Sequence, residues 1–217
     1  MAVIKYTDKV LEHFKNPHNV GELENPDGAA TVGSPACGDQ VSVFLKVEND
    51  KIQDISFLSY GCASNIATGS IVTDLAKGLP VEDAKKLTWK DAVDKLGGLP
   101  PVKVHCSVLA VDGLRAAIQD YESKHLGISH ERAVDESFLL DELKKVIHPG
   151  LGVNIIDAKL VKYLRFQGEG DEKPGLVEIE ISLEETDPYR HNVLEEIHEH
   201  LEAIPQVQEI DAKVVEY

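Results

Sequence analysis

Three cysteines, Cys37, Cys62 and Cys106, stand with a carboxylate, Asp39, and an imidazole, His105, as the residues of this chain best equipped for chemistry. Such donors form a ligand set for a thiophilic metal, and thiolates suit zinc and iron-sulfur clusters alike. Structural zinc sites usually bring their ligands in close C-x2-C pairs, whereas these cysteines are single and far apart in sequence. An odd number of them does not suit a secreted disulfide framework; in a reducing compartment they are ligands or nucleophiles. A lone cysteine is most often a small buried hydrophobe, so the settings of all three must decide. The catalytic rival is a thiol enzyme with Cys106 as nucleophile and His105 as base. Sequence neighbours make poor catalytic pairs, because adjacent side chains seldom converge.

The elements that must position these donors can be read around them. Val41, Val43, Leu45 and Val47 alternate with Ser42, Phe44 and Lys46, and after Glu48-Asn49-Asp50-Lys51 a second run carries Ile55 and Phe57, which predicts a hairpin. Cys37-Gly38-Asp39 enters its first strand and Tyr60-Gly61-Cys62 leaves its second, so an antiparallel pairing brings the two together. Ser64-Asn65 can cap a helix carrying Ile66, Ile71, Val72, Leu75 and Ala76, closed by Gly78 and Pro80. In Leu99-Pro100-Pro101-Val102-Lys103 the two prolines predict an extended, stiff segment that a partner could read as a peptide, with Leu99, Val102 and Lys103 as anchors. Val108, Leu109, Val111, Leu114, Ala117 and Ile118 follow at helical spacing, which sets Cys106 at a helix start, where the macrodipole favours thiolate. Cys37, Asp39, Cys62, His105 and Cys106 then converge on one end of a small sheet.

Elsewhere in the first half, Val10, Leu11 and Phe14 predict a short helix between Thr7-Asp8 and Asn16-Pro17. Gly21 to Gly33 reads as irregular, and Val81 to Leu96 as two short helical pieces around Thr88-Trp89. A polar stretch from His125 to Ala133 marks a boundary. Beyond it, Leu139, Leu140, Leu143, Val146 and Ile147 predict a helix stopped by Pro149-Gly150, followed by strands over 159–166 and 177–183. Asp187-Pro188 then caps a helix with Leu194, Ile197, Leu201 and Ile204, and a last strand runs from Val207. The expected fold class is α+β: a small antiparallel sheet with helices over 1–127, a linker at 128–134, and an α-β-β-α-β domain over 135–217.

The 217 residues carry 38 acidic against 22 basic side chains, net −16, which argues against nucleic acid. Up to His130 there are 13 basic and 17 acidic residues, beyond it 9 and 21, so the charge is concentrated in the second half as a solvated acidic surface. The N-terminal residues lack a signal-peptide pattern and no apolar run approaches a membrane span, so a soluble, cytoplasmic protein is expected.

Four motifs together make the first 125 or so residues resemble the IscU family of iron-sulfur cluster assembly scaffolds, which also forms the N-terminal domain of NifU proteins. They are Tyr6 through Asn16-Pro17 with Asn19-Val20-Gly21; Cys37-Gly38-Asp39; Tyr60-Gly61-Cys62-Ala63-Ser64; and Leu99-Pro100-Pro101-Val102-Lys103 leading into His105-Cys106-Ser107. One departure is Ala63, where many members carry Gly. The resemblance implies that Cys37, Cys62 and Cys106 hold a nascent cluster of the 2Fe-2S type, with Asp39 or His105 as a further ligand and Cys106 as the acceptor of sulfur from a cysteine desulfurase. It also implies that Leu99, Pro100, Pro101, Val102 and Lys103 dock an Hsp70-type chaperone, and that the cluster passes to apo acceptor proteins. The implied protein is a carrier of iron and sulfide rather than an enzyme, with a homo-oligomer open and zinc as the alternative occupant in the cluster-free form. Residues from about 135 resemble, less specifically, a domain of SufT-like proteins and of ApbC/Mrp cluster carriers, through Pro149-Gly150-Leu151-Gly152-Val153-Asn154-Ile155-Ile156-Asp157, Leu160-Val161 and Ile204-Pro205. That family's cysteine is Asp187 here, its usual glutamate after the first proline is Gly150, and Lys159 replaces a common glycine; docking or assembly, rather than cluster binding, is expected of this half. His191, His198 and His200 are expected to be exposed helix residues rather than ligands.

Overall fold

The alternating run at Val41 becomes strand β2 (Asp39–Glu48), with Val41, Val43 and Leu45 buried. The structure is a computed structural model and describes residues 5–34, 38–130 and 132–215. Glu48 pairs with Lys51, so Asn49 and Asp50 alone make the turn, both at positive φ (51° and 59°), as a two-residue hairpin loop requires. Strand β3 (Lys51–Tyr60) returns antiparallel. A third strand, β1 (Gly28–Ser34), pairs antiparallel with the other side of β2, giving the order β1-β2-β3. It lies in the stretch expected to be irregular. Its small residues carry a weak strand signal but serve helix packing: a Cβ on Gly28 would lie 2.3 Å from the carbonyl oxygen of Ala117 in the covering helix.

Helices α2 (Ala63–Ala76) and α5 (His105–Tyr121) pack on this sheet, and Phe57, Val72, Val111 and Leu114 share the core with the β2 side chains. In α2 the buried positions include Ser64, Asn65, Thr68, Ser70 and Thr73. Thr68 and Thr73 are satisfied by backbone carbonyls, Thr68 Oγ1 donating to Asn65 and Cys106, both at 3.0 Å, and Thr73 Oγ1 to Gly69 at 3.0 Å. The helix is capped by Cys62, not by Ser64-Asn65, because the chain leaves β3 directly into it and both polar residues turn inward.

Helix α1 (Asp8–Lys15), capped by Thr7, buries Val10 against Ala67 and Leu96. Two short helices, α3 (Val81–Ala84) and α4 (Trp89–Lys95), fill 81–95, and Thr88 and Asp91 form a capping box at the second. Pro100 is extended as expected, at φ −54° and ψ 137°, but the residues after it are not. Pro101–Lys103 is a 3-10 turn running into α5, with the Lys103 N–H donating to the Pro100 carbonyl at 2.7 Å. Proline's fixed φ suits a first helical position as well as it suits an extended chain. Only Pro101 of the five is exposed, and Leu99 packs beside Val10 and Leu96 rather than standing free.

The chain divides into compact units over 1–130 and 131–217. The second holds α6 (Glu136–Leu143), a small hairpin of β4 (Ile147–His148) with β5 (Val153–Asn154), strands β6 (Val161–Phe166) and β7 (Leu176–Ser182), helix α7 (Arg190–Glu202) and β8 (Glu209–Val215). Its sheet order is β6-β7-β8, with β8 parallel to β7, which α7 makes possible as the crossover. Helix α6 stops at Leu143, short of the expected Ile147, which pairs in β4 instead. Asp187 does not cap a helix beginning at Pro188. Its Oδ2 lies 2.9 Å from Nε2 of the buried His148, and α7 begins at Arg190.

Candidate metal centre at the ends of β2, α2 and α5

Three chain ends converge at one edge of the first sheet. Asp39 opens β2, Cys62 caps α2, and His105 and Cys106 open α5. Donor atoms of Asp39, Cys62 and Cys106 all lie within 4.8 Å of one another. The two sulfurs are 3.7 Å apart, and the Cys106 thiol points at Asp39 Oδ2, also at 3.7 Å. The Cys62 N–H donates to Asp39 Oδ1 at 3.4 Å, and His105 Nε2 lies 3.4 Å from Asp39 Oδ2. Gly61 leaves room for this: a Cβ there would fall 2.4 Å from Asp39 Oδ1. Cys37, expected in the same cluster, lies outside the described residues, two positions before Asp39 in sequence.

The two thiols are electrostatically unlike. Cys62, half-buried, is lowered to about 5, first by the hydrogen bond that Cys106 donates to its sulfur, then, against the cost of burial, by the Asn65 N–H and the charge of Lys103. Cys106, fully buried, is pushed up by the neighbouring Cys62 sulfur and by burial. Burial would raise the Asp39 carboxyl, but the hydrogen bond and charge of His105, the Cys62 N–H and Lys103 outweigh it and hold Asp39 below its usual range. The arrangement is a thiolate, a protonated thiol in hydrogen-bond contact with it, and an ionised carboxylate, all at helix or strand ends. It can ligate a thiophilic metal once Cys106 loses its proton. Lys103 belongs to this field as well as to the proline segment. The sequence motif places Lys103 only in the proline segment, although its spacing from Cys106, one helical turn away, is a usable signal.

His191, His198 and His200 lie on α7, where His191 and His198 face Glu195 and Glu202 at 3.4 and 3.5 Å, and none belongs to a gathered donor group among the described residues. The other such group found is His13, His18 and Asp74.

Residues 5–127 match the family described as NifU-like N terminal domain. The chain is 48% identical over 141 residues to an iron-sulfur cluster assembly scaffold protein IscU of Archaeoglobus fulgidus, covering 65% of this chain and 90% of that protein. It is 43% identical over 140 residues to the IscU scaffold of Aquifex aeolicus, covering 64% and 89%. With the IscU scaffold of Escherichia coli it shares 46% identity over 123 residues, 55% of this chain and 95% of the relative. The family model takes in the whole converging site, from α1 to the end of α5, and the chain therefore belongs to the NifU-like N-terminal domain family.

Proposed function

We propose that this protein is a scaffold on which an iron-sulfur cluster is assembled and from which it passes to acceptor proteins. The observation that carries the reading is the meeting of Cys62, Cys106 and Asp39, with His105 on the carboxylate, inside a domain whose relatives are named as such scaffolds. Cys37 supplies the third thiolate and Asp39 or His105 the fourth corner, which suits a 2Fe-2S cluster. A cargo that must leave is best held by strong thiolates and one weaker, exchangeable donor. The positive ends of α2 and α5 offset the negative charge of a thiolate-ligated cluster. A permanent zinc protein is the less favoured reading, since the relatives carry scaffold names.

Sulfur enters as a persulfide: an acceptor thiolate attacks the outer sulfur held by a desulfurase, the donor's S–S bond breaks, and the desulfurase cysteine leaves as thiolate. Of the two described thiols, Cys62 is the one ready to attack, so receipt at the buried Cys106 requires the site to open. An Hsp70-type chaperone docks on the turn at Pro101–Lys103 and promotes release. The unit beyond residue 130 serves docking or assembly.

The test is anaerobic reconstitution with iron and sulfide, followed by visible absorption. Cys62→Ser should greatly reduce the cluster formed; full yield and stability in that variant would remove the shared site. Asp39→Ala should still assemble, but transfer more slowly and keep its cluster longer in air. Faster loss than in the parent would make Asp39 a stabilising ligand and refute the lability argument.

A further inference from the structure

The far end of α2 gathers a second set of donors that the thiol site does not use. Val10 meets Ala67 and His13 meets Ser70, while His18, beyond the end of α1, meets Asp74, so the two helices run in the same direction and end side by side. Donor atoms of His13, His18 and Asp74 all lie within 4.8 Å of one another, and the two imidazole centroids are 5.0 Å apart. Asp74 sits in the last turn of α2, where the macrodipole is negative. A carboxylate there is unfavourable on its own and attracts a cation.

The neighbours hold these donors in place. Ser70 Oγ accepts the His18 backbone N–H at 2.9 Å and lies 2.8 Å from His13 Nδ1. Asn19, at φ 54°, donates to Asp74 Oδ1 at 2.9 Å while His18 Nδ1 lies 2.6 Å from Oδ2. The loop carrying His18 and Asn19 is pinned to β3, since the Asn19 carbonyl accepts the Phe57 N–H at 2.9 Å and the Gly21 N–H donates back to Phe57 at 3.0 Å. Partners of this kind fix metal-ligating side chains.

We propose that His13, His18 and Asp74 bind one borderline divalent cation, of the zinc or ferrous class, separately from the thiol site. Two imidazoles and a carboxylate are an N,N,O set for such metals, and the half-exposed His18 leaves the remaining coordination positions to water. Asp74 lies twelve positions after Cys62, roughly 18 Å along α2, so the two sites share no ligand.

The test is a zinc titration of the full chain, in the parent and in Cys62→Ser, read by long-range proton-nitrogen NMR of the imidazole rings. A saturable response of the His13 and His18 rings is expected in both proteins. His18→Ala should weaken it by at least about tenfold while leaving zinc binding at the thiols unchanged. Should His18→Ala fail to fold by circular dichroism, Asp74→Asn is read in the same way. Imidazole rings that do not respond, a response that needs Cys62, or equal affinity in the variant would each overturn the site and leave His18 and Asp74 as a plain ion pair.

Discussion

Two thiols 3.7 Å apart, on neighbouring helix ends, carry opposite acidity because one is half-buried and accepts a hydrogen bond while the other is sealed and donates it. The thiolate is the nucleophile, so a lowered thiol reacts far into the acid range. In metal-free protein, iodoacetamide should label Cys62 with a rate that rises through about pH 5 and is level by neutrality, with Cys106 unlabelled until the protein unfolds. Peptide mapping by mass spectrometry reads this directly, and earlier labelling of Cys106 would contradict it. Lys103→Ala removes a positive charge that favours both thiolates and the Asp39 carboxylate, so the Cys62 midpoint should move upward. The donor residue types and the meeting of Asp39 with Cys62 were legible in the sequence, because hairpin ends must meet. The contrast between the thiols was not, since it depends on burial and on which sulfur donates.

Secondary structure was most legible where one chemical pattern dominated. The alternation of β2 and β7 and the Thr7 cap of α1 all announced themselves. Strand β1 did not, because its glycines and alanines are selected by the closeness of α5 rather than by strand propensity. Nor did the turn at Pro101, where one fixed φ is compatible with two conformations. Close approach also governs α2: a Cβ on Gly69 would fall 2.5 Å from the Phe57 ring. Gly69→Ala gains helix propensity but overpacks the core, and a net loss of about 1–3 kcal/mol is expected from urea unfolding. A variant as stable as the parent would mean that Phe57 can move aside at no cost.

At the scale of the whole chain, the candidate ligands all fall in the unit ending at His130, while the larger acidic excess falls in the other. The single tryptophan, Trp89, belongs to the first unit and so reports on it alone. Zinc at about a hundredfold above its dissociation constant should add about 2.7 kcal/mol to that unit and raise the midpoint seen by Trp89 fluorescence. An unmoved Trp89 midpoint would place the bound metal outside the first unit. Among the described residues no helix is long and apolar enough to cross a membrane. The helix that joins the two donor sets leaves a mark on calorimetry. Unfolding exposes the buried side chains of Ser64, Asn65, Thr68, Ser70 and Thr73 along with its apolar ones, and newly wetted polar surface lowers the heat-capacity increment that apolar surface raises. A smaller increment flattens the curve of stability against temperature. The helix that contributes one donor to each set thereby weakens the dependence of its unit's stability on temperature, towards cold as well as heat.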